Sequence, residues 1–408
     1  DRAPEQIAVE SEHLPLVMHE LGDGQARVLE ENSALGLTLI ELVDPGRVLA
    51  TLTGRMAQVV ADDHVLDEIL RTLRSTFTER YGGWIPTMGK NRTLTGVQFK
   101  PYSNGGGFTR PEPAGPRELS PPTDGAGVLV GMLDARIIGH RALADRYVAA
   151  HDALAGAADP KHPRLWWEGH ATFIAGLILD GAPDAQLEVR TALRRPGPDD
   201  DWTMPLWEFA ERLEEFRRSG VRVLNLSLGV APTPDDGRPP IVLERAIARL
   251  STDMVVVAAA GNHGTGELSA QVREREGLPA RNVPLYPAAL DGVLAVGALH
   301  GEELAEFNPR GAGEDVAPWI DVFAPGVDLV STYAGDGEHE GIIVPGERGA
   351  QPEIEQFSGW ASWSGTSFAA AVVTGQIAAL LDAGANAEKA VATVRQKYAR
   401  GDRGLAKP

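Results

Sequence analysis

The chain has 408 residues, with 38 Lys and Arg against 57 Asp and Glu, no cysteine, and a formal charge of −19. This balance argues against binding to nucleic acid or to an anionic membrane, which needs a basic footprint, and zero Cys removes disulfides, Cys-ligated zinc, iron–sulfur clusters and thiol catalysis. Hydrophobic residues make up 43% and charged residues 23%, ordinary globular usage at a length that suggests two or three domains, and no apolar run approaches the ~18 residues of a membrane-spanning helix.

The chain opens Asp-Arg-Ala-Pro-Glu-Gln, without the basic and apolar stretches of a signal peptide. Residue 1 is not Met, so a removed leader or a trimmed chain stays open. Leu37 to Val43 and Val48 to Thr53 read as two strands joined by the turn Asp44-Pro45-Gly46. Asp63 to Tyr81 carries Val65, Leu66, Ile69, Leu70, Leu73 and Phe77 at the spacing of an amphipathic helix. Residues 1–100 are therefore expected to form a small α+β unit. Residues 101–123 are dense in Gly and Pro and read as a linker draped over a surface.

Beyond the linker the pattern changes. Val128 to Leu133, Val221 to Leu226, Met254 to Ala259 and Val293 to Val296 are short apolar runs without alternation, as in strands buried on both faces. Leu206 to Arg218 and Ile241 to Leu250 are amphipathic helical stretches preceding the second and third of them. Residues 124–408 are thus expected to be an α/β domain with a parallel sheet covered by helices. Such sheets place the functional site at the carboxyl ends of their strands.

Polar residues follow several of those runs. Asp134 ends the first, and Glu168-Gly169-His170-Ala171-Thr172 opens a run of small and apolar residues in helical register. The later runs exit into Asn225-Leu226-Ser227-Leu228-Gly229 and Ala258-Ala259-Ala260-Gly261-Asn262. Trp363-Ser364-Gly365-Thr366-Ser367 leads into a helix apolar all round, so Ser367 lies where unpaired N–H groups and a positive dipole end could hold an oxyanion. Taken singly, each has an ordinary structural reading: a cap, a turn residue, a core histidine, an N-cap serine.

Taken in order, Asp134, His170, Asn262 and Ser367, together with Ser-Leu-Gly, Ala-Ala-Gly-Asn and Gly-Thr-Ser-x-Ala, resemble the subtilisin-like serine proteases, or subtilases, from Gly127 to Leu381. The resemblance implies a three-layer subtilisin-like fold and hydrolysis of peptide bonds through an acyl-enzyme. It implies Ser367 as nucleophile, His170 as its general base, Asp134 as the group that orients the imidazole, and Asn262 as oxyanion donor with the Ser367 N–H. Ser227, Leu228 and Gly229 correspond to the strand that pairs with an extended peptide substrate. Ala259, Ala260 and Gly261 correspond to the opposite wall of the primary specificity pocket. No cofactor is expected.

The sequence departs from the family pattern in places. Asp134-Ala135-Arg136 stands where Asp-Thr/Ser-Gly is usual, which brings a cation near the Asp, and His170-Ala171-Thr172 stands for His-Gly-Thr. Ala371 replaces a Pro. The calcium-binding insertion after the His segment is expected to be missing, so no metal is assigned; Asp199, Asp200, Asp201, Asp235 and Asp236 read as solvated loop carboxylates. His263 to Pro287 and Tyr333 to Trp360 are longer than the family minimum and should flank the cleft, with Trp360 and Trp363 either walling it or packed in the domain. His140, His151, His162, His263, His300 and His339 show no ligand spacing; a His-Glu-x-x-His zinc site and a Gly-x-Ser-x-Gly elbow are absent.

The N-terminal unit then has three readings: an uncleaved inhibitory prodomain, a permanent domain that recognises substrate or partner, or an extension of the catalytic framework. The alternatives to a general endopeptidase are a catalytically weak or inactive peptide-binding module and a maturation protease for one precursor peptide. The missing leader and calcium site lean toward the cytoplasm; secretion after leader removal stays open.

Overall fold

The computed structural model describes residues 5–54, 65–96, 110–123, 125–192, 203–232, 238–264, 279–311, 316–336, 339–346 and 351–399. The chain divides into two compact units. The first comprises residues 1–93 with 204–211 and 232–246; the second comprises 94–203, 212–231 and 247–408.

The first unit is built on β1 (Gln6–Glu10), α1 (Leu14–Leu21), β2 (Ala26–Asn32), β3 (Leu37–Leu42), α2 (Pro45–Thr53), α3 (Val65–Arg80) and β4 (Met88–Lys90). The antiparallel sheet has the order β2-β3-β1-β4, that of a split β-α-β arrangement. Its core gathers Ile7, Val9 and Ile40 from the sheet with Val17, Leu73 and Phe77 from the helices. The α+β character and the α3 segment agree with the sequence reading.

Val48 to Thr53, read as a strand, is instead the body of α2. The local chemistry explains the difference. Asp44 caps the helix by accepting from the Arg47 N–H at 3.0 Å, Pro45 sits at the first helical position, and Gly54 closes it in the left-handed region. The triplet Asp44-Pro45-Gly46 is a helix start, and the β-branched residues after it were outweighed.

The remaining elements, in chain order, are β5 (Thr93–Gly96), β6 (Glu112–Pro113), β7 (Leu129–Asp134), β8 (Tyr147–Ala149), β9 (Arg164–Leu165), α4 (His170–Gly181), β10 (Gln186–Thr191), β11 (Thr203–Pro205), α5 (Leu206–Ser219), β12 (Val223–Leu226), β13 (Leu228–Gly229), α6 (Ile241–Leu250), β14 (Val255–Ala259), β15 (Val293–His300), β16 (Glu303–Leu304), β17 (Val322–Pro325), β18 (Leu329–Thr332), β19 (Glu340–Val344), β20 (Glu353–Phe357), β21 (Trp360–Trp363), α7 (Thr366–Asp382) and α8 (Ala387–Lys397).

The second unit centres on an eight-stranded sheet of order β16-β15-β14-β12-β7-β10-β8, with β17 also on β15. All its pairings are parallel except β15 with β16. From β7 the chain goes to the edge strand β8 and returns to β10 beside β7, then crosses to the other side and runs outward through β12, β14 and β15. The order therefore reverses between β7 and β12, which opens a crevice at their carboxyl ends. The four apolar runs read as buried strands are β7, β12, β14 and β15.

Helix α7 is buried on nearly every face because it fills the domain centre. Its close neighbour is α4. A Cβ on Gly375 would lie 2.8 Å from the Ile178 carbonyl and 3.3 Å from the Gly181 Cα, so two glycines set how near these helices come. Residues 110–123, within the segment read as a linker, run along this unit. β6 pairs with β21 at the edge of a small sheet, a place that tolerates Pro113. Arg117 and Ser120 bind Asp180, and Thr123 binds Asp184. Residues 101–109 lie outside the described residues.

Candidate functional site

Asp134 is the last residue of β7 and His170 the first of α4, so both face the crevice where the strand order reverses. His170 Nδ1 lies 2.7 Å from Asp134 Oδ1, and the same oxygen accepts the Ala135 N–H at 2.7 Å. Both side chains are 3% exposed, which shields the pair from solvent screening. A carboxylate accepts only, so this geometry puts the imidazole proton on Nδ1 and the lone pair on Nε2. Trp363 meets the imidazole edge-on at 5.7 Å and Phe368 lies at 5.6 Å, which fixes the ring plane. Phe368 follows Ser367, so the first turn of α7 abuts the histidine.

Ser367 is fully buried in that turn, and its Oγ makes no hydrogen bond among the described residues. Its carbonyl accepts from Ser227 Oγ at 3.3 Å; Ser227 Oγ accepts from Asn225 Nδ2 at 3.1 Å. Asn225 Oδ1 in turn accepts from Thr374 Oγ1 at 3.1 Å. Thr374 stands about two helical turns beyond Ser367. The relay ties two turns of α7 to the end of β12. Asn225 is thus neither a turn former nor a cleft donor, the two uses its position in the sequence suggests.

Asn262 follows β14. Its Oδ1 accepts both the Thr366 N–H and the Thr366 hydroxyl, each at 2.9 Å. The Thr366 Oγ1 also accepts the Gly261 N–H at 3.1 Å. Two donors on Oδ1 fix the amide orientation and leave Nδ2 as its donor side. Gly261 holds φ +112°, and a Cβ there would come 2.6 Å from Leu285 Cδ1. The positive φ calls for glycine at that bend.

The wall residues of the sequence reading are also placed. Ser227 turns its side chain inward to the α7 carbonyl. Leu228 and Gly229 form β13, which pairs antiparallel with β5 through Gly96 and Thr95. Ala259 ends β14, and the Ala260 N–H donates to the Val296 carbonyl at 3.0 Å; both alanines are buried.

The Arg136 side chain is exposed, and the side chain hydrogen-bonded to the Asp134 carboxylate is His170. β7 ends at Asp134, and the chain then carries Arg136 outward. Trp360 and Trp363 are both packed: Trp363 joins the core cluster, and Trp360 meets the His140 ring edge-on at 5.4 Å. The longer Tyr333 to Trp360 stretch forms an antiparallel hairpin of β19 and β20, extended by β9. Most of the His263 to Pro287 stretch, and residues 199–201 and 235–236, lie outside the described residues. Among the described residues no cluster of three or more His, Asp or Glu could hold a metal ion.

Sequence reasoning missed Thr366, Asn225 and Thr374 as supporting groups. Thr366 sits in the quoted Gly-Thr-Ser motif, so its signal was visible; Thr374 lies in an apolar helix and carried none.

Similarity to known proteins identifies the family and the fold. The profile of the subtilase family matches residues 125–400. The chain belongs to the subtilase family, and its fold is that of subtilisin-like serine peptidases. It is 32% identical over 223 residues to subtilisin Savinase of Lederbergia lenta, covering 52% of this chain and 68% of that protein. The same identity and length hold for an alkaline protease of Alkalihalobacillus alcalophilus, of which the chain spans 48%. Among solved structures, fervidolysin from Fervidobacterium pennivorans, a keratinolytic enzyme related to subtilisin, has a TM-score of 0.53 at 17% identity. It covers 94% of this chain and 55% of its own, and shows the fold.

Proposed function

We propose that this protein is a serine endopeptidase. Ser367 Oγ attacks the peptide carbonyl carbon while His170 Nε2 takes its proton. Asp134 keeps the other ring nitrogen protonated and stabilises the imidazolium. The oxyanion is held by Asn262 Nδ2 and the Ser367 N–H. Collapse of the tetrahedral species breaks the C–N bond as His170 returns the proton to the leaving amine, and water repeats the sequence to release the acyl group. The observation that carries this reading is the buried Asp134–His170 hydrogen bond beside the turn that holds Ser367, whose hydroxyl has no hydrogen-bond partner among the described residues.

The test is intact mass after exposure to a fluorophosphonate, with Ser367→Ala alongside. One adduct on the parent, mapped to Ser367 and absent from the variant, is expected. No adduct on the full chain, nor after removal of the N-terminal unit, overturns the reading in favour of an inactive peptide-binding module.

A second reading concerns the N-terminal segment. The pairing of β5 with β13 supports intramolecular inhibition, because β13 is the strand assigned to extended substrate and its edge is already taken. Prolonged incubation should then yield a new N-terminus beyond Gly96, absent in Ser367→Ala. A parent chain that stays intact yet labels at full rate would instead make the N-terminal unit a recognition or framework element.

A further inference from the structure

His170 is the first residue of α4, and that helix begins without a side-chain cap: Gly169 stands where a capping Ser or Asp is usual. A first turn frays unless something else holds it. What holds this one is the 3₁₀ turn Trp166–Gly169, whose Trp167 carbonyl accepts the His170 N–H. Asp134 grips the imidazole only at Nδ1, so a shift of the turn would carry Nε2 away from Ser367.

Three contacts fix the turn. Glu168 Oε1 accepts the Leu165 N–H at 2.9 Å, which closes it locally. Leu165 belongs to β9, which is paired with β19, and Arg164 binds Glu340 of that strand at 2.7 Å. Tyr333 is fully buried and donates its hydroxyl to the Trp166 carbonyl, and its ring lies so near Gly169 that a Cβ there would overlap it. The same ring packs on Phe357 of β20 with centroids 4.7 Å apart and meets Trp363 edge-on at 6.1 Å. Trp363 is also the indole against the His170 ring. The long Tyr333 to Trp360 stretch thus reaches the turn by two routes, β19 on β9 and Phe357 on Tyr333. A ring that only filled the core would need no hydroxyl, and burying one is costly unless it is bonded.

We infer that Tyr333 is a positioning residue for the general base. Its hydroxyl and ring hold the turn before α4, and the β19–β20 hairpin holds the tyrosine. The inference rests on the triad reading proposed above.

The experiment compares the full-length parent with Tyr333→Phe, which keeps the ring and removes the hydroxyl. Fluorophosphonate labelling of Ser367 should slow about ten-fold, because the buried carbonyl loses its partner and the turn relaxes. The second readout is the proton on His170 Nδ1, followed by proton NMR in a Ser367→Ala background and assigned by its loss when His170→Ala is added. Tyr333→Phe should speed its exchange with water about ten-fold, since the histidine is held less firmly. Val394→Ala is the control for lost stability: it truncates a buried side chain of α8 in a different core cluster from Tyr333. It should lower the melting temperature, yet label and exchange as the parent does. Labelling of Tyr333→Phe at the parent's rate, unchanged exchange, or equal losses in Val394→Ala at the same fall in melting temperature would each overturn the inference. If the parent itself fails the fluorophosphonate test above, the endopeptidase reading falls instead, and the proton exchange alone decides whether Tyr333 holds the imidazole.

Discussion

Thr366→Val tests how Asn262, the proposed oxyanion donor, is positioned. The Thr366 hydroxyl donates to Asn262 Oδ1 at 2.9 Å and accepts the Gly261 N–H at 3.1 Å, both in a buried setting. Valine keeps the shape and removes both bonds. One net hydrogen bond costs ~1 kcal/mol and a stranded buried N–H a further ~1–3, so stability should fall by roughly 2–4 kcal/mol. Asn262 Oδ1 keeps the Thr366 N–H at 2.9 Å, so the amide is loosened but not released. The rate of fluorophosphonate labelling should therefore drop about ten-fold, short of the ~10²–10³ expected when Asn262→Ala removes the donor itself. Thr366→Ser should restore most of the rate. Because Thr366 acts through Asn262, the double variant should label no more slowly than Asn262→Ala alone. Labelling unchanged by Thr366→Val, or losses that multiply in the double variant, would refute the coupling.

Three further outcomes follow from the same geometry. Asp134→Asn can keep its oxygen on both the Ala135 N–H and His170 Nδ1 but removes the carboxylate charge that stabilises the imidazolium, and should cut turnover by up to ~10⁴ while leaving the unfolding midpoint little changed. Tyr333 is fully buried and donates to the Trp166 carbonyl; burial, with Glu168, Glu340 and Glu355 adding to it, pushes its phenol well above the usual range. The folded chain keeps that proton after the unfolded chain has lost it, so stability should fall as pH rises above ~10, and urea midpoints of Tyr333→Phe should show a shallower alkaline decline. Burial likewise pushes His140 below the ordinary imidazole range, against the opposing pull of Asp336. Its Nδ1 accepts the Ala142 N–H at 3.1 Å, so protonation there breaks a cap. That contribution is complete above ~6.5 and is lost as pH falls through the depressed folded value. His140→Asn can keep the cap and should flatten the acid limb of the same titration.

The sheet was legible because its strands are buried on both faces. Val255 to Ala259 has no polar residue to confuse the period, and such a run can only be a strand or a buried helix. α2 was not legible as a helix from its Val and Thr residues; what decided it was a cap and a proline at one end, a short-range signal read as a turn. The site divides the same way. Asp134, His170, Asn262 and Ser367 were named because each sits beside a strand exit or a helix start.

Their supporting groups are a different matter. Thr374 serves Ser367 only because α7 lies against β12, and the bond to Asn225 spans 149 residues of sequence. Tyr333 reaches the Trp166 carbonyl across 167. No periodicity encodes such a pairing, since it exists only once the two elements pack. The buried hydroxyls of the second unit are therefore where sequence reasoning falls silent and where geometry adds most. Ser227 joins the two levels. Its place in Ser-Leu-Gly marks the strand assigned to substrate, while its hydroxyl holds the carbonyl of Ser367. A substitution there should disturb strand pairing and helix position together, which neither the motif nor the fold alone would suggest.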